Sequence, residues 1–143
     1  MDRKTFIKKC SMGCFGVLAS GLLLEGCVGT RYITGTIEGS FLNVPEKSFL
    51  KEDGERLKYI VVQHENLQYP IVLYRHSANH FQALLMRCTH QGTELQVYGD
   101  RLQCTAHGSE FTSSGEVQNG PADQSLRSFP VIKELEILKI DLS

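Results

Sequence analysis

Apolar and polar side chains alternate in short runs along this chain after residue 30, and a period of two is typical of β-strands. Glycine, asparagine, aspartate and proline separate the runs, as expected of turns. The pattern predicts strands over residues 31–38, 41–44, 59–62, 71–74, 81–86, 94–98, 101–104, 129–132 and 135–140. Gly99-Asp100 between two of them is a hairpin signal. The polar segment 47–56 contains Gly54 and is predicted to be a loop with at most a turn of helix.

Many short strands without a convincing helix predict an all-β fold, a small antiparallel β-sandwich. The chain has 143 residues, which favours one domain once the amino-terminal segment is set aside. Its formal net charge is −1, and no basic patch indicates nucleic acid. We therefore expect no nucleic-acid partner.

Residues 1–27 have the features of an export signal. Asp2 to Lys8 resembles a twin-arginine motif in which Lys4 replaces the second arginine. Residues 10–24 carry no charge, but a membrane-spanning helix needs about 20 apolar residues, so the run fits a signal core better. An ordinary Sec signal, an uncleaved membrane anchor and a buried hydrophobic helix are the alternatives.

The end of this segment, Leu24-Glu25-Gly26-Cys27, resembles a bacterial lipobox with Cys27 as the lipidated residue. We therefore predict an exported bacterial protein, lipid-anchored at Cys27 on the periplasmic side of a membrane. Only residues 28–30 separate Cys27 from the first predicted strand, a reach on the order of 10 Å. The domain is expected to sit close against the membrane, with partners that come to it or are membrane neighbours.

Two short runs combine cysteine with histidine: Cys88-Thr89-His90 and Cys104-Thr105-Ala106-His107. Two thiolates and two imidazoles suit either tetrahedral zinc or a mixed-ligand iron–sulfur cluster. Zinc fingers usually pair cysteine with cysteine and histidine with histidine. One residue of each type in each run favours a two-iron cluster, and a structural zinc module is the alternative.

The sequence around these runs resembles the Rieske [2Fe-2S] family over about residues 31–143. The segments that carry the resemblance are Cys88-Thr89-His90-Gln91-Gly92, Cys104-Thr105-Ala106-His107-Gly108-Ser109-Glu110-Phe111 and Gly120-Pro121-Ala122. The resemblance implies one [2Fe-2S] cluster per chain between loops 88–93 and 104–111, covered by a proline loop over 119–122. It implies that the cluster is bound by Cys88 and Cys104 on one iron and by His90 and His107 on the other. It further implies that the Ser109 hydroxyl lies near the cluster sulfurs.

Four positions depart from other members of that family, the quinol-oxidising and high-potential ones. Thr93 and Ala106 replace two cysteines that form a disulfide there, and Gln91 replaces an apolar residue. Phe111 replaces a tyrosine whose hydroxyl lies near the cluster sulfurs in high-potential members. We therefore expect loops without a disulfide, and a reduction potential inside the Rieske range but below its upper end.

Together these features predict an exported, membrane-tethered one-electron carrier. The exposed edge at His90 or His107 would exchange the electron with a redox protein or quinone. The chain offers no candidate nucleophile and no mononuclear iron site, so it is not expected to be a catalyst alone. Alternatives are a small subunit of a quinol-oxidising complex or of a molybdenum enzyme, and the ferredoxin component of a ring-hydroxylating oxygenase.

Overall fold

The computed structural model describes residues 29–143, and this part of the chain forms thirteen strands and one 3-10 helix. In chain order they are β1 (Tyr32–Thr34), β2 (Thr36–Glu38), β3 (Phe41–Pro45), the 3-10 helix (Glu46–Phe49), β4 (Tyr59–Gln63), β5 (Ile71–Arg75), β6 (Phe81–Leu85), β7 (Gln96–Tyr98), β8 (Arg101–Gln103), β9 (Glu110–Thr112), β10 (Val117–Asn119), β11 (Ser128–Phe129), β12 (Val131–Glu134) and β13 (Ile137–Asp141). The prediction of an all-β fold is confirmed. Within residues 29–143, no helix is long and apolar enough to cross a membrane.

The strands form three sheets. The first sheet has the order β1-β4-β5-β6-β11, the second β12-β13-β3-β2, and the third β10-β9-β8-β7. Strands β4 and β5 are buried along most of their length, because residues on the two faces of the first sheet join two different cores. Ile60 and Val62 belong to a core shared with the second sheet, whereas Val61 belongs to a core shared with the third.

The core between the first and third sheets contains both cysteines of the described chain. Val72, Leu84 and Met86 meet the fully buried Leu102 and Phe111 of the third sheet there. Cys88 and Cys104 lie in the same cluster, and each is about 1% exposed. The third sheet therefore places the Cys–His runs next to a buried apolar core.

The predicted strand 31–38 divides at Gly35, which is a departure from the prediction. A Cβ at Gly35 would lie 2.6 Å from Leu42 Cδ1, so any larger residue would require the buried Leu42 side chain to shift. Strand β1 stays in the first sheet and pairs in parallel with β4, whereas β2 pairs with β3 in the second sheet. The predicted antiparallel sandwich is confirmed, and β1–β4 is the one parallel pairing among the described strands.

Two further differences concern the second half of the chain. The predicted strand 129–132 divides at Pro130, with β11 in the first sheet and β12 in the second. Strands β9 and β10 were not predicted, because their short, polar residues surround the turn at Gly115 and show no clear alternation. The 3-10 helix lies largely within the predicted loop 47–56, in agreement with the single turn expected there.

Candidate metal centre

The two Cys–His loops have the same backbone hydrogen-bonding pattern. In the first, the Cys88 N–H donates to Thr93 O and the Gly92 N–H donates to Cys88 O, both at 2.8 Å. In the second, the Cys104 N–H donates to Ser109 O at 2.8 Å. The Gly108 N–H donates to Cys104 O at 2.9 Å. Each loop thus begins at a cysteine and closes on a hydroxyl-bearing residue.

A glycine in each loop makes this turn possible. Gly92 has a φ of 78° and Gly108 a φ of 81°, and both values lie in the left-handed region that residues with a Cβ rarely adopt. The two glycines occupy equivalent positions, four residues after Cys88 and Cys104 respectively. The sequence therefore specifies the loop shape locally, through a glycine at the same position in each loop.

The predicted hairpin at Gly99-Asp100 places the loops side by side. The first Cys–His loop connects β6 to β7, and the second connects β8 to β9. Strands β7 and β8 pair with Val97 opposite Leu102, and the turn between them contains Gly99 with a φ of 61°. Both loops therefore lie at the same end of the third sheet, and the hairpin turn lies at the other.

The structure brings the four predicted ligands together as two pairs of different exposure. Cys88 and Cys104 are buried, and neither forms a disulfide. His90 and His107 are exposed, with ring centroids 4.9 Å apart and ring planes at 86°. Thiols therefore face the core, and imidazoles form the outer tip of the molecule.

The environment of Cys104 favours its thiolate. Burial raises the pKa of this thiol, but hydrogen bonds outweigh that effect and the net pKa is lowered. The donors are the backbone N–H groups of His107 and Ala106 and the side chains of Cys88 and Thr93. Because the thiolate is the form that binds metal, the lowered pKa favours binding of a soft metal at this sulfur.

Ser109 lies in the second loop and is fully buried. Its Oγ accepts a hydrogen bond from the Ala122 N–H at 3.0 Å. Since that hydroxyl acts as acceptor in this bond, its own proton is free for another acceptor. The structure therefore keeps one hydroxyl donor in the apolar region beside the cysteines.

The segment after Gly120 holds both loops. Ala122 binds Ser109 of the second loop, and Gln124 O accepts a hydrogen bond from Thr89 Oγ1 of the first loop at 2.7 Å. The resemblance implied a proline loop that covers the centre, and the observed contacts join that segment to both sides. With Thr93 and Ala106 in place of cysteines, these bonds connect the loops without a disulfide.

Tyr69 supports the first loop, and no pattern in the sequence indicates this role. Its hydroxyl donates to Gly92 O at 2.8 Å, and the Arg87 guanidinium lies 5.7 Å from the centre of its ring. Tyr69 comes from the connection between β4 and β5, far away in sequence. A lone tyrosine in a polar turn is indistinguishable from any other until the turn is placed against Gly92.

The donor set fits a two-iron cluster. A cluster held through two cysteines on one iron and two histidines on the other needs only two protein ligands at each iron. A structural zinc ion needs four convergent ligands. The pairs of buried thiols and exposed imidazoles therefore match the iron–sulfur arrangement better.

The all-β fold and the two Cys–His loops define the class of protein, an iron–sulfur domain. The family model of the Rieske [2Fe-2S] domain matches residues 41–130. The chain belongs to the Rieske [2Fe-2S] domain family, which confirms the resemblance found in the sequence. It carries a Rieske-type [2Fe-2S] cluster and functions in electron transfer.

One curated relative is the toluene-4-sulfonate monooxygenase system iron-sulfur subunit TsaM1 of Comamonas testosteroni, 29% identical over 83 residues. The alignment covers 52% of this chain and 24% of that relative, so the chain spans about a quarter of its length.

Solved structures show the same fold. The cyanobacterial plasma membrane Rieske protein PetC3 from Synechocystis PCC 6803 matches with a TM-score of 0.56 and 20% identity, covering 69% of this chain and 97% of that one. A chain of the complex of reduced oxygenase and oxidised ferredoxin in carbazole 1,9a-dioxygenase matches with a TM-score of 0.54 and 22% identity, covering 73% and 95%.

Proposed function

We propose that this protein is an exported one-electron carrier, tethered to a membrane by lipid at Cys27. Its [2Fe-2S] cluster is bound by Cys88 and Cys104 on one iron and by His90 and His107 on the other. The observation that carries the proposal is the division of these side chains into a buried thiol pair and an exposed imidazole pair at one tip. One edge of the centre is thereby open to a partner while the other is shielded from water.

The bound cluster supplies a one-electron redox couple, and the chain sets the conditions for it. The core around Cys88 and Cys104 excludes water and holds the sulfurs in an apolar environment. Ser109 and Thr93 offer hydroxyl protons that favour negative charge on sulfur. His90 and His107 lie where a partner can make contact.

A second candidate is the ferredoxin component of an oxygenase system. The observation that favours it is the similarity to TsaM1, an iron–sulfur subunit of a monooxygenase system, and to a chain of an oxygenase–ferredoxin complex. The signal-like segment 1–27 favours the exported carrier instead, because such ferredoxins work in the cytoplasm. The segment lies outside the described residues, so its role is tested in cells.

Lipidation is tested by metabolic labelling of the full chain with a radioactive fatty acid in a bacterial host. We expect the wild-type protein to be labelled and the Cys27→Ala variant to lose the label, because the acyl chains attach to that cysteine. Cys14→Ala is the matched control, since Cys14 lies in the same segment outside the lipobox-like sequence. Equal labelling of Cys27→Ala and wild type would place the label at another residue and contradict the tether at Cys27, whereas no labelling of either would leave the ferredoxin alternative.

The reduction potential tests the role of Phe111. This side chain is fully buried in the core that contains both cysteines. Phe111→Tyr adds a hydroxyl there, and one hydrogen bond to the reduced centre of about 1–2 kcal/mol corresponds to about 40–90 mV for one electron. We expect protein-film voltammetry to show a rise of that size.

The control for this variant is Phe81→Tyr. Phe81 packs against the other core, which contains no cysteine, so the same chemical change there should leave the potential unaltered. A wild-type potential at the top of the Rieske range, or no rise in Phe111→Tyr, would show that this position does not limit the potential.

A further inference from the structure

The described chain starts at the end of the molecule that carries the β7–β8 hairpin turn. Gly29 and Thr30 border a cleft of about 310 Å³ together with Tyr59 and Gly99. Thr30 Oγ1 lies 3.3 Å from the Tyr59 hydroxyl, at the first residue of β4. The parallel pairing of β1 with β4 then carries the chain away from this end, which we call the amino-terminal end.

The Cys–His loops lie at the opposite end. Strand β4 runs from Tyr59 to Gln63, and the connection that follows it contacts the first Cys–His loop through the Tyr69–Gly92 hydrogen bond. Pro70 O in the same connection accepts from the Met86 N–H at 3.0 Å, just before Cys88. At about 3.3 Å per residue, β4 alone separates the two ends by about 13 Å.

The side chains at the amino-terminal end suit an anionic surface. The cleft is lined by four cations and one carboxylate, Glu55: the cations are Arg31, Lys51, Arg56 and Lys58. Arg31 donates to Ser48 O and Leu50 O, and Lys51 pairs with Glu55. Lys58 has no ion-pair partner among the described residues. Arg56 lies 3.8 Å from the Glu46 carboxylate. Glu52 and Asp53 of the same loop, and Asp100 of the hairpin turn, do not line the cleft.

Exposed apolar side chains flank the same cleft. Tyr32 is 50% exposed, Tyr98 is 54% exposed and Leu50 is 39% exposed. Each adjoins a cleft residue in sequence: Arg31, Gly99 and Lys51 respectively. Tyrosine beside lysine and arginine is the composition found at the membrane–water interface, and cations are attracted to an anionic leaflet.

We propose that the amino-terminal end rests on the membrane surface, and that the tip with His90 and His107 points into water and serves a water-soluble redox protein. The inference rests on the proposed lipid at Cys27. Two peptide steps join Cys27 to Gly29, a reach of about 7 Å, which is shorter than the separation of the two ends. The tether therefore holds the amino-terminal end at the bilayer, and with the basic cleft against the surface the tip lies away from the lipid, where a membrane-dissolved quinol would react.

The absence of tryptophan from the sequence gives a direct test. A single tryptophan is placed in the full lipidated protein at Tyr98 (Tyr98→Trp) or, as the matched variant, at the exposed tip residue Gln91 (Gln91→Trp). Each variant is bound to vesicles of anionic phospholipid with and without a spin-labelled headgroup, a short-range quencher. We expect the labelled vesicles to quench the emission of Tyr98→Trp and to leave that of Gln91→Trp unchanged.

Two other kinds of result would contradict the proposed orientation. Quenching of Gln91→Trp, or of neither variant while the protein floats with the vesicles, overturns the orientation and leaves the lipid tether in place. Failure to float with vesicles overturns the tether and this inference with it.

The kind of partner is tested on the same vesicles. We expect a water-soluble c-type cytochrome to oxidise the reduced centre at the same rate in the tethered protein and in protein released from the vesicles by proteolysis. A short-chain quinol dissolved in the vesicles should reduce the tethered protein much more slowly than the released one. Equal rates with the quinol would overturn the proposed partner.

Discussion

Replacing Cys104 with alanine should abolish the Rieske centre, with loss of bound iron, of the visible absorption and of the EPR signal of the reduced protein. Cys104 is buried at the base of the second Cys–His loop, and its thiol has a lowered pKa because its hydrogen-bond donors outweigh burial. Alanine removes a proposed ligand and leaves its iron with a single cysteine. No other cysteine of the described chain can substitute, since Cys88 already belongs to the pair.

The backbone of the loop provides the control for this experiment. The bonds from Cys104 N to Ser109 O and from Gly108 N to Cys104 O do not involve the thiol, so the turn itself can survive the substitution. Thr105→Ala changes the neighbouring, exposed residue and should retain iron and signal. A Cys104→Ala protein that kept the EPR signal would show that this sulfur is not a ligand.

The loops were predictable from sequence because their determinants are local. Cysteine, histidine and glycine at fixed spacing specify both the donor atoms and the left-handed turns at Gly92 and Gly108. The hairpin that aligns the loops was predictable for the same reason, from Gly99-Asp100 between two apolar runs. In these segments the residues that supply the ligands also determine the backbone turns, so one sequence pattern predicts both.

The contacts that support the loops were not predictable, because they join distant segments. Tyr69 contacts Gly92, and Thr89 contacts Gln124, through single hydrogen bonds. Such bonds produce no periodic pattern in the sequence. Thr93 stood out in the sequence only as a replaced cysteine. Its side chain also helps to lower the pKa of the Cys104 thiol, a role that depends on the second loop lying opposite.

The position of the chain start relative to the metal centre also required the structure. The sequence correctly placed a strand after residue 30, but its parallel pairing with β4 depends on the sheet switch at Gly35. That pairing puts Gly29 beside Gly99 and not beside the Cys–His loops. The expectation that the domain lies close to the membrane is thereby refined into a proposal about which end does so.

Ser109→Ala should lower the reduction potential by about 60–130 mV while the EPR signal of the centre persists. The Ser109 hydroxyl is fully buried and accepts from the Ala122 N–H, so its proton is available to the sulfurs that the resemblance places beside it. A hydrogen bond to a charged group contributes about 1.5–3 kcal/mol. Its loss destabilises the reduced, more negative state, and about 59 mV corresponds to a tenfold change for one electron.

The same variant should also unfold more easily, because the Ala122 N–H loses its acceptor at a cost of about 1–3 kcal/mol. The two effects are separable, since a purely structural role would lower the free energy of unfolding without moving the potential. Ser114→Ala, an exposed serine in the turn after β9, should change neither quantity. An unaltered potential in Ser109→Ala, measured by film voltammetry, would show that the hydroxyl proton does not reach the centre and that Ser109 only anchors the proline loop.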